Sequence, residues 1–153
     1  MSHELKFVYV THIRTTPAKL WRAMVDPKFI EQYWMGRHNT SPWRKGSPLE
    51  SRAPDGELEW KGKILQVDKP RRLVYTFQPV DAGEPPSRVT FEIKKPGRDI
   101  DPRGETVQLV VTHEEFPAGS IVFPGICQGW PAILSSLKTL LETGRSLQLQ
   151  FEG

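Results

Sequence analysis

Polar side chains able to do chemistry are sparse in this chain of 153 residues, and His113 is the best placed of them. It follows Val107, Leu109 and Val111 in strand alternation, so it falls in the inward phase at a strand's end, just before Glu114 and Glu115. An inward imidazole can hydrogen-bond a ligand's polar end or serve as an acid or base. The alternative is a structural histidine satisfied by backbone at the strand's end. On the first reading, His113→Ala is expected to leave folding intact and to weaken any ligand. Cys127 with His113 would make a thiol–imidazole pair, but a small, half-buried helix residue explains Cys127 more simply. Asp99-x-Asp101 with Glu105 matches part of a calcium loop, lacks the full ligand register, and reads as a solvated hairpin turn. The four histidines have no metal-ligand spacing with cysteine or carboxylate, and no glycine-rich phosphate loop precedes a helix. No metal, no cofactor and no catalytic residue is therefore assigned.

Apolar patterning carries more information than any of these constellations. Over residues 126–143, Ile126, Trp130, Ile133, Leu134, Leu137, Leu140 and Leu141 recur at three-four spacing, with Gly144 as a stop. Gln128, Ser135, Ser136, Lys138, Thr139 and Glu142 fill the opposite side. Full burial of the seven apolar side chains would contribute on the order of 10–20 kcal/mol before entropy is subtracted. Gly125, Gly129 and Pro131 permit a bend near the helix start. Such a helix needs a large partner surface.

The rest of the chain supplies that surface. Residues 5–14 form a first strand, with Leu5, Phe7, Tyr9, Thr11 and Ile13 on one face and Val8 and Val10 on the other. Thr16-Pro17 and Asp26-Pro27 each read as an N-cap followed by proline at the first helical position, predicting two short helices. A Gly/Pro/Ser-rich stretch holds Trp34 and Trp43 and a short strand near residues 48–52. Alternating runs follow through Leu58, Trp60, Gly62 and Ile64, then Leu73, Tyr75 and Phe77, then Val89, Phe91 and Ile93, then Val107 to His113. Short loops between them argue for an antiparallel meander. The expected fold is α+β: a curved antiparallel sheet of about six strands around a long C-terminal helix, with two short helices after strand one. One helix cannot fill the concave face of such a sheet, so aromatic side chains or a ligand must.

Whole-chain properties bound the rest. The length fits a single domain over residues 1–153, with a core at about 5–144 and a tail at 145–153. The net charge of +3 is spread among acids, which argues against a nucleic-acid partner. One cysteine excludes an internal disulfide framework. No apolar run approaches a membrane span, and no apolar signal segment opens the sequence, so a cytoplasmic protein without a membrane partner is expected. In the tail, Leu147, Leu149 and Phe151 alternate with Gln148, Gln150 and Glu152, a strand pattern that would add to a sheet edge. Together with Val8 and Val10 it makes a homodimer a candidate state.

Several motifs occur in the order seen in one family: Pro17-x-x-x-Trp21, Asp26-Pro27, Tyr33-Trp34, Gly62 with Asp68-Lys69-Pro70-Arg71-Arg72-Leu73, Thr112-His113-Glu114-Glu115-Phe116 and Gly129-Trp130. Over nearly the whole chain it resembles the bacterial single-domain relatives of the activator of heat-shock protein 90 ATPase, within the START-like (helix-grip) superfamily. That superfamily includes lipid carriers, cyclases, hydroxylase domains and co-chaperone modules, so the likeness is specific for fold and weak for function. It implies a deep cavity between sheet and last helix. By strand phase Trp60, Tyr75, Phe77, Phe91, Leu109, Val111 and His113 point towards the helix, and Ile126, Trp130, Leu134 and Leu137 point back. Trp34 and Trp43 would either close one end or pack at the rim. These residues line a ligand site or simply form the core. Three functions follow: binding of a small hydrophobic molecule without catalysis, an accessory role on a heat-shock protein 90-type ATPase, and a cyclase- or hydrolase-like enzyme, which ranks last for want of a paired acid and base.

Overall fold

The computed structural model describes residues 4–150. Its elements run β1 (Phe7–Arg14), α1 (Pro17–Val25), α2 (Pro27–Tyr33), β2 (His38–Thr40), β3 (Pro48–Arg52), β4 (Leu58–Asp68), β5 (Arg72–Pro79), β6 (Ser87–Lys94), β7 (Thr106–Glu114) and α3 (Phe123–Thr143). The strands form one antiparallel sheet in the order β1-β7-β6-β5-β4-β3-β2. From β2 to β7 each strand pairs with its sequence neighbour. β1 breaks the meander by pairing with β7, so α1 and α2 cross from one edge of the sheet to the other.

The two short helices start as their sequences dictate. The Thr16 hydroxyl accepts from the Lys19 amide at 3.2 Å, and the Asp26 carboxylate accepts from the Lys28 amide at 2.9 Å, each just ahead of a proline. Leu20, Trp21 and Met24 of α1 and Ile30 and Tyr33 of α2 are buried. The Tyr33 hydroxyl donates to the Ala23 carbonyl and ties the two helices together.

α3 begins at Phe123, one turn before the apolar stripe predicts, and it continues through Pro131. Its first amides are capped from outside. Ser120 Oγ accepts from the Val122 and Phe123 amides, and the Glu84 carboxylate, from the β5–β6 connection, accepts from Ile121 at 2.6 Å and Val122 at 3.3 Å. Gly144 ends the helix in the left-handed conformation, φ 82°. Trp130, Ile133, Leu134, Leu137 and Leu140 are buried.

Curvature has local causes. The β3–β4 ladder shifts register at Ser51/Arg52 and the β4–β5 ladder at Ile64/Gln66. Between those irregularities lies Gly62, where a Cβ would overlap the Thr76 carbonyl oxygen. Only glycine allows that approach.

One count is refined and one expectation is revised. The sheet has seven strands, because the three-residue β2 shows no hydrophobic alternation to betray it. Residues 145–150 form no strand: the Leu147 amide is taken by Ser136 Oγ, at 3.2 Å, on α3. Phe151 lies outside the described residues.

The free edge of β1 is only half covered. Glu142 accepts from the Arg14 amide at 2.8 Å, and Lys138 donates to the His12 carbonyl at 2.6 Å. Alternation along an antiparallel strand therefore turns the backbone groups of Val8 and Val10 to that same edge, with their side chains 50% and 51% exposed.

Candidate functional site

Between the sheet and α3 the space is filled mostly by aromatic rings. Five of them close into a circuit, each centroid within stacking or edge distance of the next. Trp34 lies 6.1 Å from Trp60, Trp60 5.8 Å from Tyr75, Tyr75 5.8 Å from Phe91, Phe91 5.7 Å from Trp130, and Trp130 5.4 Å from Trp34. Inward positions of β4, β5 and β6 supply three of these rings, α3 supplies one, and the turn after α2 supplies Trp34. Beside the circuit is a void of about 10 Å³, room for one water-sized sphere. Trp34, Trp60, Tyr75 and Phe91 line it, as do Trp43, Leu49 and Leu73, with Met24 and Tyr33 from the helices and Asn39 from β2. No charged side chain is among them.

The loops that deliver the two tryptophans hold an unusual backbone. Met35 has φ 49° and Trp43 itself φ 56°, a left-handed conformation that costs a non-glycine residue about 1–2 kcal/mol. Trp43 is held by its amide, which donates to Ser41 Oγ at 3.0 Å, while Ser47 Oγ accepts from the Arg44 amide. Both tryptophans line the void.

His113 is fully buried, and both ring nitrogens are engaged. Trp130 Nε1 donates to Nδ1 at 3.0 Å, and Nε2 lies 2.7 Å from Ser87 Oγ. An indole can only donate, so Nδ1 is unprotonated and the neutral ring carries its proton on Nε2. Nε2–H then donates to Ser87, whose hydroxyl donates to the Phe77 carbonyl at 3.2 Å. Burial pushes the imidazole pKa down to about 3. Phe116, from the loop after β7, packs on the ring at 4.6 Å and in turn meets Phe123 at 5.1 Å. The Ser87–His113 pair is thus no nucleophile and base, because the nitrogen facing the serine has no lone pair to offer. The histidine is satisfied by two side chains rather than by backbone, and its truncation would strand Trp130 and Ser87. Intact folding of His113→Ala is not what this geometry predicts.

Other sequence-derived residues fall in separate places. Trp34, Trp43, Trp60, Tyr75 and Phe91 meet at the void. Phe77, His113 and Trp130 share the hydrogen-bonded cluster, Phe77 meeting the imidazole edge-on at 5.1 Å. Leu109, Val111, Leu134 and Leu137 are buried core, and Ile126 is partly buried against it. Sequence reasoning missed Met24, Tyr33, Asn39, Leu49 and Leu73. Asn39 has no periodic signal at all; the other four read as ordinary packing positions. Cys127 is half-buried with a raised thiol pKa, again from burial. Asp101 accepts from the Glu105 and Thr106 amides and the Thr106 hydroxyl, which organises the turn and occupies its oxygens. A more open surface hollow of about 340 Å³ lies at the β5–β6 connection, between Lys61 and Glu84.

The family comparison bears on this arrangement. A family model described as Activator of Hsp90 ATPase homolog 1-like protein matches residues 14–142. The chain belongs to this family. No protein of curated function matches it in sequence. Among solved structures, a Mesorhizobium loti protein is 25% identical with TM-score 0.73, over 89% of this chain and 96% of that one. An HSP90 activator from Plasmodium falciparum is 19% identical with TM-score 0.73, over 90% and 96%. An Aha1 dimer from Colwellia psychrerythraea is 14% identical with TM-score 0.74, over 92% and 98%. The last two share the fold. Family members of this kind carry the helix-grip architecture seen here, and no helix among the described residues is long and apolar enough to cross a membrane.

Proposed function

We propose that this protein binds a small apolar molecule, without transforming it, at the void between β4–β6, the ends of α1 and α2, and the Trp34 and Trp43 loops. The carrying observation is the lining: aromatic and aliphatic side chains with no charge, two of them tryptophans on loops whose backbone is held in a costly conformation. With about 10 Å³ free, a guest enters only if those loops move outward. Titration with 2-naphthol, an uncharged aromatic, tests this through the indole N–H resonances of Trp34, Trp43 and Trp60. Saturable shifts are expected. Indoles that stay fixed up to the solubility limit would sink the proposal.

A second reading is favoured by the family description and by the likeness to the Plasmodium falciparum HSP90 activator. In it the chain acts on a heat-shock protein 90-type ATPase. An ATPase assay with the purified chaperone decides it, and an unchanged turnover rate counts against it.

A further inference from the structure

Two donors on residues that line the void, the Tyr75 hydroxyl and the Asn39 amide, have no partner among the described residues, and the indole N–H groups of Trp34 and Trp60 share that state. Tyr75 is 3% exposed, and its hydroxyl has no hydrogen-bond partner among the described residues, whereas the neighbouring Tyr33 hydroxyl is bonded to Ala23. Asn39 is also 3% exposed. Its Oδ1 accepts from Ser51 Oγ at 2.6 Å, while its amide nitrogen has no partner among the described residues. No fully enclosed polar side-chain atom is left without a partner in this structure. The Tyr75 oxygen and the Asn39 nitrogen therefore each keep some accessible surface, and the void is the space that both residues line. A donor that keeps only a sliver of accessible surface and has no protein partner gains from a guest that bonds it, so this wall is matched to a guest that carries an acceptor.

The complementary chemistry is narrow. A carboxamide nitrogen only donates, and a phenolic hydroxyl can donate, so one acceptor oxygen on the guest satisfies both. The absence of any charged lining side chain makes burial of a charged guest unfavourable. The rings of Trp34, Trp60, Tyr75 and Phe91 offer flat faces and edges rather than a tube for a flexible chain. The His113 imidazole cannot serve as the anchor, because Trp130 and Ser87 engage both of its ring nitrogens.

We propose that the guest is a flat, uncharged aromatic molecule bearing one acceptor oxygen, held by the Tyr75 hydroxyl and the Asn39 amide. This rests on the binding function proposed above and adds its specificity. Binding of 2-naphthol is compared with binding of 2-methylnaphthalene, which replaces the hydroxyl by a methyl of similar size, in the native chain and in Tyr75→Phe. That variant removes a hydroxyl with no partner in the protein, so its melting temperature should not fall below that of the native chain. The native chain should prefer 2-naphthol by about five- to tenfold. Tyr75→Phe should bring the two ligands within about twofold, mainly by weakening 2-naphthol. Equal binding of both to the native chain, with indole shifts present, overturns the polar anchor and leaves the binding function standing. A preference that survives in Tyr75→Phe also overturns it. Fixed indole resonances with both compounds overturn the anchor and the binding function together.

Discussion

Trp130 of α3 donates its indole N–H to His113 Nδ1 of β7 at 3.0 Å, and this bond decides where the imidazole proton resides. It also joins helix to sheet through a directional contact inside an otherwise apolar interface. The same indole closes the aromatic circuit against Phe91 and Trp34, so one side chain serves both the packing and the polar cluster.

Removing the imidazole should therefore be destabilising. His113→Ala leaves the Trp130 N–H and the Ser87 hydroxyl without their partner and opens a gap among Phe77, Phe116 and Trp130. A loss of about 3–5 kcal/mol is expected in urea unfolding. Trp130→Phe, which removes only the donor and some ring, should cost less. Equal midpoints for His113→Ala and the native chain would remove the cluster from the account of stability.

Acid should weaken the fold through the same residue. The folded pKa of about 3 lies below the ordinary histidine value of 6.5, so between these values the unfolded chain binds a proton that the folded chain refuses. Stability is full above about pH 6.5 and declines as pH falls towards 3, by at most about 5 kcal/mol from this group. Urea midpoints between pH 7 and 4 should fall less steeply in His113→Gln than in the native chain. Parallel pH slopes would contradict the assignment.

Glu84 adds a second acid-sensitive contact. Hydrogen bonds from Ser120, Ile121 and Val122 hold its carboxyl below the usual carboxylate range. A depressed carboxylate stabilises above its unfolded pKa and loses that contribution as pH drops through the folded value. Glu84→Gln should speed hydrogen exchange at the Ile121 and Val122 amides while the middle of α3 stays protected. Unchanged exchange would show that Ser120 alone caps the helix.

Gly62→Ala is expected to damage the sheet more than any surface change. The added methyl would overlap the Thr76 carbonyl oxygen, and backbone cannot yield as a side chain can. A loss of at least about 2 kcal/mol should appear, with faster exchange confined to β4 and β5. A variant as stable as the native chain would mean that the two strands separate easily.

How much of this was legible in the sequence depended on what each feature needs. The strands around Trp60, Tyr75, Phe91 and Val111 declare themselves by period two, and α3 by its apolar stripe, so the elements follow from patterning while their helix-grip arrangement came from the family resemblance. The Gln-rich tail has the same period two yet forms no strand through residue 150, because Ser136 takes the Leu147 amide and residues 145–150 pair with no strand. β2 escaped because Asn39 is its one buried residue. Asn39 reaches the void only through the β2–β3 register that sets it opposite Ser51. The partners of His113 were illegible for a related reason. Ser87 and Trp130 come from different elements, and only the β6–β7 pairing and the docking of α3 bring them to one ring.

The clasp of Lys138 and Glu142 over His12 and Arg14 has a consequence for solubility. It seals the end of the outermost ribbon beyond Tyr9 and Val10, leaving a short unsealed border bearing two exposed valines. Clipping both clasping side chains, as in Lys138→Ala with Glu142→Ala, would lengthen that border towards Arg14 and give stray extended chains a longer template. Such a variant should turn cloudy on warming sooner than its parent, by light scattering. An unchanged onset would mean that the clasp does not guard the border.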